Sequence, residues 1–221
     1  KIVTFSDYDQ IWGRPTIKIS NGIDFSQIKI KQSVAPHTDL RLIAVATIHP
    51  WHGFDRAIEG LALYYQKNPV RKVYMHIIGS AVPEVLSQYQ QSVRKNRLEQ
   101  YVFFHGSLFG EALDKMFDES DFGIGSLARH RSQIDKIKTL KNREYAARGI
   151  PFVYSETDDD FEKMPYILKA PADETPLDIE KIIDFYDSIR FTPKEIRSSI
   201  EKTLSWKRQM QYVIEETFKR I

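Results

Sequence analysis

The 221-residue sequence predicts an α/β protein: a doubly wound, Rossmann-like parallel sheet with helices on both faces and a helical C-terminal tail. Two observations support this fold class. From Leu40 onward, short apolar runs of strand type alternate with stretches whose apolar residues recur every three or four positions. Hydrophobic residues make up 42% of the chain and charged residues 28%, as in an ordinary globular domain. Strands that alternate with amphipathic helices imply a parallel sheet that is covered on both faces.

The first 39 residues do not follow this alternation. The runs Ile2–Phe5 and Thr16–Ser20 have the pattern of short strands, and the turn Asn21–Asp24 and a polar stretch with Pro36 come after them. We therefore treat residues 1–39 as a separate segment and predict that the main domain spans residues 40–221.

Strands and helices alternate along the main domain. The run Leu40–Ala46 is largely apolar, which is typical of a strand that is buried on both faces. The predicted helix after it, 54–65, carries Phe54, Ile58 and Leu61 on one face. By the same criteria, further strands are predicted at 73–79, 101–105, 122–125, 151–154 and 167–170, and further helices at 83–97, 110–119, 138–148, 178–189, 193–204 and 206–220.

The composition also excludes several functional classes. The 32 basic and 30 acidic residues nearly balance, which argues against a protein wrapped in nucleic acid. The absence of cysteine excludes disulfides and thiolate metal sites. No apolar run is long enough to cross a bilayer, and the first residues do not have the pattern of a signal peptide.

The predicted fold indicates where a ligand would bind. In doubly wound sheets, ligands lie beyond the carboxyl ends of the strands and close to helix N-termini. We therefore expect the chemistry in the loops that follow the strands, at 47–53, 79–83, 105–110, 126–138 and 154–160.

A basic cluster surrounds the predicted helix at 138–148, which ends at Gly149. Basic side chains beside the exposed N–H groups of a helix N-terminus favour a pyrophosphate. The alternative is a solvated cationic face, which is common on lysine-rich helices. The cluster consists of Arg129, His130, Arg131, Lys136, Lys138, Lys141, Arg143 and Arg148.

Glu144 has an unusual position in the same helix. It falls in register with Ile137, Leu140 and Ala147, on a stripe that is otherwise apolar. A carboxylate on such a stripe needs a partner or a ligand. It would accept hydrogen bonds from a ribose diol, as acidic residues do in dinucleotide folds; the alternative is a structural or surface role.

Other polar segments give weaker signals. In the loop 49–55, Gly53 would let the backbone approach a phosphate and His52 would donate to an anion, although lone histidines are more often structural. The acidic loop with Glu156 and Asp158–Asp160 is interpreted as solvated, and no metal site is predicted. The chain has neither G-x-G-x-x-G nor a P-loop, so the sequence has no dinucleotide fingerprint.

The segment Glu144–Val153 resembles the Glu-Ala-Met-Ala-x-Gly-x-Pro-Val-Val segment of family-four retaining glycosyltransferases with the GT-B architecture. The turns at His105-Gly106 and Ser126-Leu127 are similar to the family's turns, and the resemblance spans nearly the whole chain. It implies the C-terminal domain of such an enzyme, which binds the nucleotide-sugar donor. A looser similarity is to bacterial enzymes that make capsule or surface polysaccharides.

The resemblance implies roles for individual residues. In the family, the glutamate at the Glu144 position holds the donor ribose, and the residues before it contact the phosphates. Arg131 and Lys138 are expected to neutralise the leaving diphosphate without a metal or cofactor, and no catalytic residue is assigned. The predicted donor-binding residues are Glu144, Lys138, Thr139, Leu140, Lys141, Arg131, His52, Gly53, Gly79 and Ser107.

The sequence departs from the family pattern at two places. Lys136 stands eight residues before Glu144, where the family has a glutamate that contacts the transferred sugar. Upstream, the family's Lys-Gly pair reads His52-Gly53, and its arginine position is near Ala46. Basic residues on the other side of the site are expected to replace the lost positive charge: Arg131, Lys138 and Lys141.

The resemblance also implies partners. Family members carry an N-terminal domain that binds the acceptor, so residues 1–39 are predicted to be a residual interdomain segment and the chain alone to bind donor without transfer. The implied acceptor is a glycan or a lipid-linked glycan. The implied location is the cytoplasm, with a peripheral position at the inner face of the membrane left open. The alternatives are a nucleotide-sugar epimerase of the same architecture and a non-catalytic nucleotide-binding or scaffolding module.

Overall fold

A parallel six-stranded sheet forms the centre of the computed structural model, which describes residues 1–32 and 35–219. Its strands are β4 (Leu40–Val45), β5 (Val73–Ile78), β6 (Val102–Phe104), β7 (Phe122–Ile124), β8 (Phe152–Tyr154) and β9 (Ile167–Lys169). Their order across the sheet is β6-β5-β4-β7-β8-β9. Leu42 of β4 lies opposite Met75 on one side and Phe122 on the other. The predicted doubly wound parallel sheet is confirmed.

Seven helices lie around the sheet and along the tail in the part of the chain that the structure describes. Short 3-10 turns at Pro50–His52 and Arg129–Ser132 were not predicted. The helices are α1 (Phe54–Gln66), α2 (Pro83–Lys95), α3 (Gly110–Asp118), α4 (Leu140–Arg148), α5 (Ile179–Ser188), α6 (Pro193–Leu204) and α7 (Trp206–Phe218). All seven were expected, and the helix predicted to reach residue 220 is described only to Phe218. Among the described residues, no helix combines the length and the apolar character needed to cross a membrane.

Two apolar cores pack on opposite faces of the sheet because successive strand residues point to opposite sides. Leu42 and Ala44 of β4 join the core that also contains residues of α1, α2 and α5. Ile43, between them, joins the second core, which holds Phe117 of α3, Tyr145 of α4 and residues of α6. Both faces are therefore covered, as the apolar run at 40–45 predicts.

The N-terminal segment forms a small sheet of its own. Its strands are β1 (Ile2–Thr4), β2 (Gln10–Ile11) and β3 (Arg14–Lys18), in the order β1-β3-β2. The two-residue strand β2 was missed, because the hairpin signal lies only in the turn Trp12-Gly13, where both residues have positive φ. The segment then packs on the tail: the Ile23 N–H donates to the Leu204 carbonyl at 2.8 Å.

The strand order places a topological switch point between β4 and β7, because the chain runs from β4 outward to β5 and β6 and then returns to the other side of β4 as β7. In open α/β sheets, ligands bind at the carboxyl ends of the strands near such a point. The helix α4 begins there, two residues later than the sequence suggests. Its approach is extended because Ile137 donates its N–H to the Thr157 carbonyl at 2.9 Å.

Candidate functional site

A cavity of about 650 Å³ lies at the carboxyl ends of β4 and β5, between the loop after β6 and the start of α4. Most of the predicted donor-binding residues line it, although they come from four separate stretches of the chain. These residues are His52, Gly79, Ser107, Lys138, Thr139, Leu140, Lys141 and Glu144. The structure thus brings them to one site, and their binding roles remain predictions.

Arg131 does not line this cavity. Its guanidinium forms an ion pair with Asp55 at 2.7 Å, contacts Glu174 at 3.0 Å and donates to the Pro50 carbonyl at 2.9 Å. These contacts fix the side chain on the outer side of the loop after β7. No sequence pattern indicates these contacts, because Asp55 and Glu174 are distant from Arg131 in the chain.

Gly53 is needed for packing between loops and does not line the cavity. The expected approach of its backbone to a phosphate stays a prediction. The φ of Gly53 is 65°, and this residue ends the 3-10 turn and begins α1. A Cβ at this position would lie 2.8 Å from the Ala128 Cβ. The glycine therefore lets the loop after β4 pack directly on the loop after β7.

Gly79 has a similar role at the cavity itself. Its φ is 130°, and an added Cβ would lie 1.7 Å from the carbonyl oxygen of Ala46. Its N–H donates to the Gly106 carbonyl at 2.7 Å. Only glycine fits where these three loops meet, so Gly79 shapes the cavity wall.

The N-terminus of α4 opens on the cavity without a side-chain cap. Thr139 is the N-cap residue, but its hydroxyl accepts no capping hydrogen bond, and its buried Oγ1 has no partner among the described residues. The first N–H groups of a helix have no partner within the helix, and they carry its positive dipole end. Residues 138–141 line the cavity, so this end of α4 is suited to an anion.

Two basic side chains reach the same space, and within the described residues neither forms an ion pair. The Lys141 ammonium nitrogen is buried although the stem is partly exposed, and it lies 5.5 Å from the centre of the Phe54 ring. The buried Nε of Arg129 likewise finds no acceptor within the described part of the chain. Burial, with the nearby Arg129 charge, lowers the pKa of Lys141 to about 7. An unpaired buried cation is costly, so an anionic ligand would relieve a cost that the empty site carries.

Arg129 is the basic residue that the donor-binding prediction missed. It belongs to the basic cluster that the sequence shows, but the resemblance put the expectation on Arg131. The two alternate around the 3-10 turn Arg129–Ser132, so that Arg129 faces the cavity and Arg131 faces away. A helix or strand periodicity does not describe this turn, which is why the sequence could not separate them.

His52 is a buried, neutral side chain. Its Nδ1 accepts a hydrogen bond from the His49 N–H at 3.0 Å, which leaves the ring proton on Nε2. Burial and the charges of Lys141 and Arg129 lower the pKa of His52 to about 2. His52 can therefore donate one hydrogen bond to a ligand but brings no positive charge.

Glu144 lines the cavity with its side chain 27% exposed, and its Oε1 is 3.0 Å from Arg148 Nε. The expected stripe needs a correction, because Ile137 and Leu140 face the cavity and not the core; Leu140 is 62% exposed. The buried side of α4 runs instead through Tyr145 and Ala146. The Glu144 carboxylate therefore lies on the cavity side of α4 and does not interrupt a stripe that faces the core.

The other arginines of the basic cluster on α4 are structural. Arg143 is fully buried, 2.8 Å from Asp158, and also pairs with Asp160. Arg148 pairs with Asp114 at 2.7 Å and lies over the Phe117 ring. The interpretation of the acidic loop as solvated is therefore wrong: Asp158 and Asp160 belong to an ion-pair network, and Asp158 and Glu156 are buried. No group of three or more metal-ligating side chains occurs among residues 1–32 and 35–219.

Lys136 lies in a neighbouring cavity of about 640 Å³, which shares Ile137 and Lys138 with the first. Its ammonium nitrogen is 2.6 Å from Asp7 and 2.5 Å from Asp159. These ion pairs raise the pKa of Lys136 above its usual range. The side chain that stands in the place of the family glutamate therefore ties the N-terminal segment to the loop after β8.

No protein-family model matches the sequence. No curated protein matches it either.

Solved structures share the fold at low sequence identity. HepE from Anabaena, crystallised with UDP and glucose, is 16% identical with a TM-score of 0.69; the match covers 93% of this chain and 57% of HepE. Sucrose-phosphate synthase from Thermosynechococcus elongatus is 16% identical with a TM-score of 0.71, covering 92% of this chain and 53% of that protein. The chain thus spans less than two thirds of both.

A third match is to a C-terminal domain alone. The C-terminal domain of the group 1 glycosyl transferase LpcC from Francisella tularensis is 15% identical with a TM-score of 0.58. The match covers 84% of this chain and 100% of that domain. The neighbours are GT-B glycosyltransferases, and this chain has the α/β fold of their C-terminal domain.

Proposed function

We propose that the chain binds a nucleoside-diphosphate sugar and is the donor-binding half of a glycosyltransferase. One observation carries the proposal. The uncapped N-terminus of α4 and the unpartnered Lys141 and Arg129 converge on one cavity at the switch point of the sheet. Helix N-termini and fixed cations are the groups that bind a diphosphate.

The cavity suggests how the donor would lie. The diphosphate would contact Lys141, Arg129 and the N–H groups that begin α4. Glu144, one turn further along the helix, would accept hydrogen bonds from the ribose diol. His52 would donate from Nε2, while Gly79 and Ser107 lie on the opposite wall. Fixed positive groups at this place would neutralise the charge that grows on a leaving nucleoside diphosphate.

The structural neighbours support the same reading. HepE has been crystallised with UDP and glucose and with UDP-glucose. For this chain we propose transfer to a glycan or lipid-linked acceptor held by an N-terminal domain, in a family-four enzyme of bacterial capsule or surface polysaccharide synthesis. Residues 1–39 would connect to that domain, and the protein would work in the cytoplasm or at the inner face of the membrane.

A second candidate is a non-catalytic nucleotide-binding module, and Lys136 favours it. The family resemblance puts a sugar-contacting glutamate at this position, whereas Lys136 is held between Asp7 and Asp159. Such a module would bind the nucleotide but would not distinguish it from the nucleotide sugar. The donor site itself is common to both candidates.

A screen of UDP, GDP, ADP and CMP by thermal unfolding tests the proposal. A ligand at 100 times its dissociation constant should stabilise the fold by about 2.7 kcal/mol. Lys141→Met should remove most of this stabilisation, whereas Lys95→Met, at an exposed position on α2, should leave it intact. No response of the wild-type protein to any of the four nucleotides would overturn the proposal.

A further inference from the structure

One buried carboxylate neither lines the cavity nor takes part in the proposed donor contacts. Glu156 follows β8, is 2% exposed, and both of its carboxylate oxygens are without a hydrogen-bond partner in the described structure. Buried carboxylates are normally paired or hydrogen-bonded. The Glu156 carboxylate and the Lys141 ammonium are thus two buried groups of opposite charge, and neither has a partner among the described residues.

The charged groups around Lys141 come from several elements. His52 faces it from the loop after β4 and is neutral, Arg129 faces it from the loop after β7, and Glu156 lies on the loop after β8. Lys169 of β9 acts on Glu156 from the far side and donates to its backbone carbonyl. Lys138, which precedes α4, and Glu144, on α4, also line the cavity.

Within this set, Glu156 is the carboxylate whose charge favours the protonated form of Lys141, while Arg129 opposes it. The cationic residues of this set outnumber its two carboxylates, Glu144 and Glu156, and a diphosphate would add negative charge. Burial makes each of these interactions stronger than it would be in water.

We propose that Glu156 is a positioning residue of the anion site, which sets the charge of Lys141, and that a diphosphate entering the cavity draws one proton onto Lys141. The inference rests on the proposed function, because it concerns the ligand of the same cavity. Glu156 would thus affect the affinity for the ligand through Lys141, without contacting the ligand itself.

The direction of the pH dependence follows from the environment of the two groups. Burial lowers the pKa of Lys141 to about 7 and raises that of Glu156 to about 7. A bound diphosphate favours the charged ammonium, so the empty site must take up a proton above this pH. Affinity should therefore be constant below about pH 7 and fall above it, by about tenfold per pH unit.

The experiment measures the dissociation constant by calorimetry from about pH 6 to about pH 8.5. UDP-glucose, GDP-mannose and ADP-glucose serve as probes, because a diphosphate that is esterified on both sides does not titrate in this range. Repeating the titration at about pH 8 in two buffers with different ionisation enthalpies should show uptake of about one proton.

Two variants test whether Glu156 and Lys141 cause the pH dependence of the affinity. Glu156→Gln removes the favourable charge, so the pH at which affinity begins to fall should drop by about one unit or more. Lys141→Arg keeps a cation that does not titrate, so affinity should lose most of its pH dependence. Circular dichroism and thermal unfolding of both variants establish that they are folded, and Glu99→Gln, at an exposed position, is the matched control.

The outcomes separate this inference from the proposed function. If no nucleotide sugar binds the wild-type protein, both fail. If one binds with an affinity that is independent of pH, or if Glu156→Gln keeps the wild-type profile, the proposed function stands and the inference is wrong. If Glu156 has only a structural role, Glu156→Gln would change the stability of the protein but not the pH above which its affinity for the nucleotide sugar falls.

Discussion

At the scale of single residues, Lys141 shows how the proposed binding site conflicts with stability. Its ammonium nitrogen is buried without a partner among the described residues. Desolvation of this cation therefore lowers the stability of the ligand-free protein. A residue chosen for packing alone would be apolar here. The conflict is what distinguishes Lys141 from the many exposed lysines of this chain.

Lys141→Met should therefore stabilise the ligand-free protein. The pKa of Lys141 is about 7 in the folded state against an ordinary value of 10.5, so the unfolded chain holds more protons between these values and wild-type stability rises with pH there. The stabilisation by methionine should be largest below pH 7 and shrink as the pH approaches 10.5. Urea unfolding of both proteins near these two limits measures it; a difference that grows with pH would contradict the account.

Glu144→Ala should weaken nucleotide binding by roughly 1–3 kcal/mol, the scale for the loss of a hydrogen-bonded partner. The variant also loses the contact with Arg148, which keeps its ion pair with Asp114. Glu99→Ala, at an exposed position distant from the cavity, is the matched control for calorimetry. Unchanged nucleotide affinity in Glu144→Ala would show that Glu144 does not bind the nucleotide.

Single residues also mark the limit of sequence reasoning. The sequence singles out Glu144 and the basic cluster, and most of the named residues do meet at one cavity. It could not tell Arg129 from Arg131, since their directions depend on an irregular turn. Nor could it show that Arg143 is held by Asp158, because that pairing exists only in the folded chain.

At the scale of elements, α4 depends on a buried ion-pair network. Arg143 donates to the Thr139 carbonyl at 2.8 Å and to the Asn21 carbonyl at 2.9 Å, besides its pairing with Asp158. The network therefore fixes the start of the helix against the N-terminal segment. It is also the reason why a cationic residue lies on the buried side of α4.

Arg143→Met should destabilise the protein by about 3–5 kcal/mol, because it leaves the Asp158 charge buried without its partner. Arg94→Met, at an exposed position of α2, should change stability little and serves as the control. Chemical denaturation gives both values. A loss below about 1 kcal/mol for Arg143→Met would show that the network is not essential to α4.

The loops at the carboxyl ends of the strands depend on glycine. Gly79→Ala should cost about 3 kcal/mol or more, since the Cβ would overlap the Ala46 carbonyl in a backbone conformation that side chains rarely adopt. Gly106 has a positive φ of 66°, against 130° for Gly79, and a Cβ there would meet no atom within 4 Å. Gly106→Ala therefore measures the cost of a positive φ without overlap, and equal losses for the two variants would show that the overlap is unimportant.

At the scale of the whole molecule, the fold and the position of the candidate cavity were the most predictable features. Apolar runs and helical periodicity gave the six strands of the main sheet and the helices, and the parallel sheet then located the binding edge. The boundary at residue 40 separates two sheets, but the N-terminal segment also packs on the tail through Ile23. The charge state of the site could not be predicted, because burial by distant segments determines it.

The central claim is that the cavity beside α4 binds a nucleoside diphosphate through Lys141. Calorimetric titration of the wild-type protein, Lys141→Met and Lys95→Met with UDP, GDP and ADP tests it most directly. We predict that at least one nucleotide binds the wild-type and Lys95→Met proteins alike, and that Lys141→Met binds it with about 1.5–3 kcal/mol less free energy, the scale for a hydrogen bond to a charged group. Binding of equal strength to Lys141→Met, or no binding of any nucleotide to the wild-type protein, would contradict the account.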